Sequence, residues 1–323
     1  MKTIAIVAGG NSSEFEISVK SAKNVCNALQ FRYITYIISI KGSKWYWVDN
    51  DGRYYNIDKN DFSLVTDELH VRFDAVFIAI HGTPGEDGLL QGYFDMLRIP
   101  YSSCSSFCSA LTFNKQACKL FLKEYKLDMA EAILIRKGEK SDLNAITTRL
   151  GLPCFVKPNA SGSSFGVSKV KKIEDLPSAI ETAFGESNEV LIEAFMDGRE
   201  VACGVVKTKA KTIILPVTEI ISKNEFFDYE AKYTPGRSDE VTPADMPAII
   251  TEEVQRLSSL VYDLLGCKGI VRVDFIIVGQ KPYFLEINTV PGMTEESLIP
   301  KAIVAAGIAS DDFYSMIIED MLK

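Results

Sequence analysis

The sequence has no run long and apolar enough to cross a bilayer. Its longest clean apolar stretch is the six residues Ala75 to Ile80, against the roughly 20 that a spanning helix needs. Ile4 to Ala8 is too short for a secretory core and stops at Gly9-Gly10, so a cytoplasmic location is expected. Positive charge is in deficit, with 35 Lys+Arg against 43 Asp+Glu and a net charge of −8. That balance argues against nucleic-acid partners, because binding phosphate backbones needs a basic face. Cysteine motifs are missing too. The seven cysteines (26, 104, 108, 118, 154, 203, 267) are odd in number and scattered, with no CxxC pair and no Cys/His cluster. They read as reduced core thiols rather than a disulfide or zinc framework. There are no repeats and no low-complexity tract. The phosphate signature GxxxxGK[ST] is absent. So is GxGxxG after the first strand, which ranks a dinucleotide oxidoreductase last.

What the sequence does have is core material. Of its residues 47% are hydrophobic, enough to bury sizeable cores, and the length suggests two or three domains. Residues 3–8 form an apolar run that ends in Gly9-Gly10 and gives way to the helical spacing Ile17, Val19, Ala22, Val25, Leu29. A strand, a glycine turn and a helix open an α/β unit. Tyr33 to Ile40 and Ala75 to Ile80 read as further buried strands, the second closed by His81-Gly82-Thr83-Pro84-Gly85. Loops at the carboxyl ends of parallel strands are where such sheets place ligand-binding groups. Beyond Pro100 the texture turns Ser/Cys-rich, with a helix expected from about Asn114 to Tyr125 and a strand from Cys154 to Lys157. From Glu189 strands dominate, at 189–196, 200–207, 212–220, 269–278 and 282–288, with one long helix around 247–265. Three domains are expected: 1–103, a parallel α/β unit; 104–188; and 189–323. Segment 222–243 shows little periodicity and reads as a functional lid or a linker.

The strongest chemical signal is a pair of strands. In Val271-Arg272-Val273-Asp274-Phe275 polar and apolar residues alternate, so Arg272 and Asp274 share one face. Leu285-Glu286-Ile287-Asn288 puts Glu286 and Asn288 together in the same way. The link Val278-Gly279-Gln280-Lys281-Pro282 suits a hairpin with a three-residue loop. In that register Asp274 opposes Glu286, and Arg272 opposes Asn288. Two carboxylates about 5 Å apart repel by roughly 3 kcal/mol at an effective dielectric near 20, so something positive belongs between them. Oxygen donors of this kind suit Mg²⁺ or Mn²⁺. The plainer alternative is a solvated polar face partly neutralised by Arg272.

Two further segments carry weaker signals. After Cys154 to Val156 comes Lys157-Pro158-Asn159-Ala160-Ser161-Gly162-Ser163-Ser164-Phe165-Gly166, where a buried strand delivers a lysine into a loop of small residues. Small side chains let backbone N–H groups approach phosphate oxygens, although such a loop alone is more often a flexible turn. The run Val190 to Met196 followed by Asp197-Gly198-Arg199-Glu200 is apolar and then polar. Backbone groups of Ala194 and Met196 with Phe195 could form an adenine slot, or simply an ordinary hairpin.

Together these pieces resemble the ATP-grasp superfamily and, within it, the D-alanine–D-alanine ligase family. The resemblance rests on Gly9 to Ser18, His81-Gly82 with Gly85 to Gly88 and Gln91-Gly92, Lys157-Pro158 with Gly162 to Val167, Tyr229 to Tyr233, Arg272 to Asp274, and Glu286 to Thr294. It implies an α/β (α+β overall) ATP-grasp fold in which an N-terminal parallel α/β domain accompanies two domains that clamp ATP. It further implies ATP-dependent ligation of two D-alanines through an acylphosphate, two Mg²⁺ or Mn²⁺ ions, and a homodimer.

Carried over by position, Lys115 and Lys157 hold ATP phosphates, Lys232 reaches the γ-phosphate from the lid, and Glu193 and Glu200 contact adenine and ribose. Asp274, Glu286 and Asn288 bind the cations. Glu14 takes the first substrate's ammonium, His81 lies near its carboxylate, and Ser297 with Leu298 takes the second substrate's carboxylate. Arg272 and the Gly292 amide stabilise the oxyanion, and Glu14, Ser163 and Tyr233 form a hydrogen-bonded set. Ala194 stands where many members carry lysine. Tyr233 favours an amine over D-lactate as second substrate, leaving another carboxylate–amine or depsipeptide ligase as the runner-up.

Overall fold

Strand β1 (Thr3–Gly9) is buried along nearly its whole length, as an apolar run must be when elements cover both faces of a sheet. The computed structural model describes residues 1–162, 165–222 and 238–323. The first unit runs β1 (Thr3–Gly9), α1 (Phe15–Leu29), β2 (Ile34–Lys41), β3 (Lys44–Val48), β4 (Tyr54–Asp58), β5 (Ser63–Val65), β6 (His70–Val71), β7 (Ala75–Ile78) and α2 (Leu89–Leu97). Its sheet has the order β6-β5-β4-β3-β2-β1-β7. β1 is parallel to both β2 and β7, and the remaining strands extend the sheet as an antiparallel meander. The small residues Ser18, Ser21 and Ala22 lie on the buried side of α1, which lets the helix sit close to the strands. Ser18 Oγ accepts from the Gly9 amide at 2.7 Å and donates to the Ala79 carbonyl at 2.7 Å. One hydroxyl thereby ties the carboxyl ends of β1 and β7 together.

The second unit comprises α3 (Ser106–Phe113), α4 (Lys115–Lys123), β8 (Ala132–Arg136), α5 (Leu143–Leu150), β9 (Cys154–Pro158), β10 (Ser168–Val170), α6 (Leu176–Phe184) and β11 (Glu189–Ala194). Its antiparallel sheet has the order β10-β9-β11-β8. The expected boundary at 189 is corrected here. Residues 189–194 pair with both β9 and β8, because their apolar side faces α6 and α5 in that unit's core, so the second sheet includes them.

The third unit holds β12 (Arg199–Lys207), β13 (Thr212–Ile214), β14 (Thr218–Ser222), β15 (Ser238–Val241), α7 (Ala248–Leu264), β16 (Ile270–Val278), β17 (Lys281–Asn288), α8 (Leu298–Ala305) and α9 (Ser310–Met321). Its sheet order is β15-β14-β12-β16-β17, with β13 pairing β12. The strand expected over 212–220 is two strands, interrupted at Leu215 to Val217, where Pro216 has no N–H to give to a ladder. Of the expected lid, 238–241 is β15, and 223–237 lie outside the described residues. Apolar residues of β1, β7, β12, α8 and α9 merge in one core, so the first and third units are packed together.

The hairpin keeps the expected pairs by a different route. Val278 pairs with Lys281 across the two-residue turn Gly279-Gln280, not a three-residue loop, and a bulge between Asp274 and Phe275 restores the register. Beyond the bulge Asp274 opposes Glu286 and Arg272 opposes Asn288. Without that extra residue, Leu285 would face Asp274 and Glu286 would turn into the core.

Gly279 and Gly269 share a φ of +63°, but their surroundings differ. A Cβ on Gly279 meets nothing within 4 Å, whereas one on Gly269 falls 1.8 Å from the Ser102 carbonyl oxygen. Gly279→Ala should therefore cost about 1–2 kcal/mol, the conformational strain alone, and Gly269→Ala clearly more. Urea unfolding midpoints measure both, and equal losses would refute the close approach.

Candidate active site

The carboxyl edge of the first sheet supplies one wall. Glu14 precedes α1 and is buried. A Cβ on Gly162 would come within 2.7 Å of Glu14 Oε2, so this carboxylate lies directly against the small-residue loop of the second unit. Ser12 Oγ accepts from the Glu14 amide and donates to the His81 carbonyl at 3.0 Å. His81 is buried with both ring nitrogens engaged: Nδ1 lies 2.9 Å from the Val290 carbonyl and Nε2 3.2 Å from Ser21 Oγ. The Val290 carbonyl can only accept, so Nδ1 of the neutral ring carries the proton, and Ser21 Oγ, which accepts from the Met293 amide, donates to Nε2. Burial lowers the His81 pKa, outweighing the raising effect of the Glu14 charge, while Arg272 adds to the lowering. The ring is neutral and anchors the loop 290–293.

Glu86 accepts from the Gly82 amide at 2.7 Å. Burial and the Glu14 charge push its carboxyl up to about 8, against hydrogen bonds from the Gly82 and Val290 amides and the charge of Lys115. In the adjoining loop a Cβ on Gly292 would fall 2.7 Å from Ser297 Oγ. That hydroxyl accepts from the Thr294 amide at 3.1 Å, and Ser297 is the N-cap of α8. Leu298 opens the helix with its side chain packed against Ala202 and Ile220. Its N–H is among the first-turn donors that have no intrahelical acceptor.

The sheet of the third unit supplies the second wall. Arg272 donates twice to Asp274, at 2.8 and 2.7 Å, and Asn288 Nδ2 donates to Asp274 at 3.0 Å. Asp274 is 2% exposed, and this bidentate pair sets a positive charge against it. Register places Glu200, Ala202 and Gly204 of β12 on the same face, opposite Ile276, Asp274 and Arg272. The small residues leave room there for Leu298 and Ile299 of α8.

The second unit supplies the third wall. Lys115 starts α4. Its Nζ donates to the Ser161 carbonyl at 3.2 Å and lies 3.3 Å from Glu286 Oε2, joining the small-residue loop to the acidic sheet face. Asn159, fully buried, accepts from the Gln116 amide at 2.8 Å and donates to Asn114 and Glu189 at 3.0 and 2.8 Å. It fixes the end of β9 to the starts of α4 and β11. Lys157 and Lys119 both pair with Glu193, all three buried. Burial would raise the Glu193 pKa, but the two lysine charges and their hydrogen bonds outweigh it and hold the carboxyl at about 2.

Nearby, Lys169 lies 4.0 Å over the Phe195 ring, and Phe155 is 6.1 Å from Phe195. The Ala194 amide donates to the Glu131 carbonyl at 2.9 Å, so that donor of the supposed adenine slot is taken. Met196 is half-buried beyond β11. Ser163, Lys232 and Tyr233 lie outside the described residues.

Lys119, Asn159 and Glu86 were not singled out from sequence. Lys119 stands one turn from Lys115 on α4 and shares its buried side with Cys118 and Leu122. A lysine on an apolar helix stripe was the available signal.

Comparison with known proteins bears directly on this arrangement. The family model described as D-ala D-ala ligase N-terminus matches residues 3–104, and D-ala D-ala ligase C-terminus matches residues 121–321. The D-alanine–D-alanine ligase of Phocaeicola vulgatus is 51% identical over 321 residues, covering 99% of each chain. Among solved structures, D-alanyl-alanine synthetase A from Vibrio cholerae superposes with a TM-score of 0.89 at 28% identity, over 99% of this chain and 98% of that one. D-alanine–D-alanine ligase from Bacillus anthracis complexed with ATP gives 0.79 at 30% identity, over 100% and 98%. With both family models matched in order along nearly the whole sequence, and full-length relatives of this kind, the chain belongs to the D-alanine–D-alanine ligase family.

Proposed function

We propose that the chain joins two D-alanines at the expense of ATP, through an acylphosphate of the first that the amine of the second attacks, giving D-alanyl-D-alanine for peptidoglycan precursors. The observation that carries this reading is the meeting of Lys115 with both Ser161 and Glu286, which sets the small-residue loop beside Arg272, Asp274 and Asn288. Names borne by the full-length relatives and the ATP complex of the Bacillus anthracis protein support it.

In this proposal Lys115 and Lys157 hold phosphates, with Lys232 joining from segment 223–237. Glu193 and Glu200 serve adenine and ribose, and Glu193 also positions Lys157 through its ion pair. Glu14 receives the first substrate's ammonium. Ser297 and the Leu298 N–H receive the second substrate's carboxylate, a favourable place for an anion because the first turn of a helix carries partial positive charge. Arg272 and the Gly292 amide face the developing oxyanion, and Tyr233 and Ser163 complete the substrate-orienting set with Glu14. The oxygens of Asp274, Glu286 and Asn288 form a donor set that fits two Mg²⁺ or Mn²⁺ ions, which would neutralise phosphate charge. The homodimer belongs to the same proposal, two-fold pairs being the commonest assembly. So does a cytoplasmic location, in keeping with seven unpaired thiols.

Phosphate release on mixing the chain with ATP, Mg²⁺ and D-alanine tests the reading, and no D-alanine-dependent release would sink it. Glu286→Gln should abolish turnover at saturating Mg²⁺ with circular dichroism unchanged; retained turnover would contradict the metal assignment. Tyr233→Phe should raise the use of D-lactate relative to D-alanine, judged by product mass. The Glu193 carboxyl, held at about 2 against an ordinary 4.5, contributes stability that is fully present above pH 4.5 and is lost as the pH falls through 2. Glu193→Gln should therefore flatten the acid limb of a stability–pH profile. It should also cost about 3–5 kcal/mol at neutral pH, because two buried ammonium groups lose their counter-ion.

A further inference from the structure

The fold gathers three cysteines that the sequence leaves scattered. Cys104, Cys108 and Cys267 are buried, and their sulfurs all lie within 4.8 Å of one another. Cys104 stands at the junction of the first and second units, Cys108 in the first turn of α3, and Cys267 in the turn between α7 and β16. They sit in the apolar core beneath the third sheet, with Val273, Phe275, Phe284 and Ile287. Arg272, Asp274, Glu286 and Asn288 occupy the opposite face, so the cluster lies apart from the substrate cleft.

We propose that Cys104, Cys108 and Cys267 form a binding site for a thiophilic d¹⁰ cation, Zn²⁺ or Cu⁺, that staples the junction of the units.

Geometry is the first support. Thiolates bound to zinc at about 2.3 Å stand roughly 3.8 Å apart along the edge of a coordination tetrahedron, and Cys108 Sγ lies 3.8 Å from Cys267 Sγ. The surroundings are the second. The Lys268 amide donates to Cys104 Sγ at 3.4 Å, a hydrogen bond that a bound thiolate keeps and that stabilises its charge. The turn is brought into range by Gly269, whose missing side chain lets the backbone approach Ser102. Cys108 is the third residue after the N-cap Ser105, where the positive end of a helix favours a thiolate. Hydrogen bonds from Cys104 and then Cys267 lower the Cys108 pKa.

The donor type decides the ion. Three sulfurs with no carboxylate or imidazole in the group among the described residues select soft cations over Mg²⁺. Binding breaks three S–H bonds and forms three metal–sulfur bonds; the protons go to solvent, and nothing is oxidised or reduced.

The test uses the reduced, metal-stripped full-length chain, titrated anaerobically with Cd²⁺ and with Zn²⁺ in the absence of nucleotide. One equivalent of Cd²⁺ should give a thiolate-to-metal ultraviolet band, which the oxygen donors of the cleft cannot produce. Zn²⁺ should compete for it, release protons and raise the melting temperature by several degrees. Cys108→Ala and Cys267→Ala should lose the band while keeping D-alanine-dependent phosphate release, which shows that they fold; Cys203→Ala, a buried thiol outside the group, should keep it. If either alanine variant fails to fold, Cys104→Ser provides the same comparison. Absence of the band in the unaltered chain, or its survival in Cys108→Ala and Cys267→Ala, overturns the proposal.

Discussion

Asp274 and Glu286 stand side by side on one face of a sheet, and the rest of the cleft is arranged around the need to neutralise them. Opposed carboxylates in adjacent strands destabilise a sheet. Here each is met by its own cation, Asp274 by Arg272 from the same strand and Glu286 by Lys115 from another unit. The first pair is local, fixed by alternation along β16. The second is not local, and it makes the acidic face depend on where α4 and the loop after β9 are placed. Asn159 then becomes intelligible, since it sets both at once through the Gln116 amide and its bonds to Asn114 and Glu189. A buried side chain so fully used is costly to replace, because any partner left behind is an unsatisfied polar group.

The first unit imposes a second constraint, on the loop that follows β17. His81 holds Val290, Ser21 holds Met293 through its amide, and Asn24 donates to the Met293 carbonyl at 2.8 Å. Met293 also lies in the core shared by β1, β7 and α9. The segment bearing Gly292 and Ser297 is thus positioned by the N-terminal unit, although it continues the strand that carries Glu286. His81 works as a neutral clamp, with its donor on Val290 and its acceptor facing Ser21. Its placement at the end of a buried strand was legible, whereas its partners were 60 and 209 residues away in sequence.

That contrast runs through the molecule. Alternation at 271–275 and 285–288 exposed the polar face because it is a short-range pattern. The pairing of Asp274 with Glu286 followed from it, although the turn is one residue shorter than expected and a bulge makes up the difference. A turn and a bulge are set by local strain and packing, to which an alternation count is blind. The expected third domain starts at 189 because a strand-rich stretch begins there, yet β11 lies between β9 and β8. Lys119 and the grouped cysteines depend on helix placement across units, which no spacing rule records.

Charge inside the second unit completes the picture. Lys119 and Lys157 share the single carboxylate of Glu193, so the trio carries one positive charge more than it neutralises. Burying such an excess is unfavourable unless hydrogen bonds or a counter-ion offset it. Lys119 meets part of the need through the Ala130 carbonyl at 3.3 Å. Even so, burial lowers its pKa against the pull of Glu193, and the Lys157 charge adds to the lowering. The excess positive charge therefore makes Glu193 the residue on which the stability of this buried group depends.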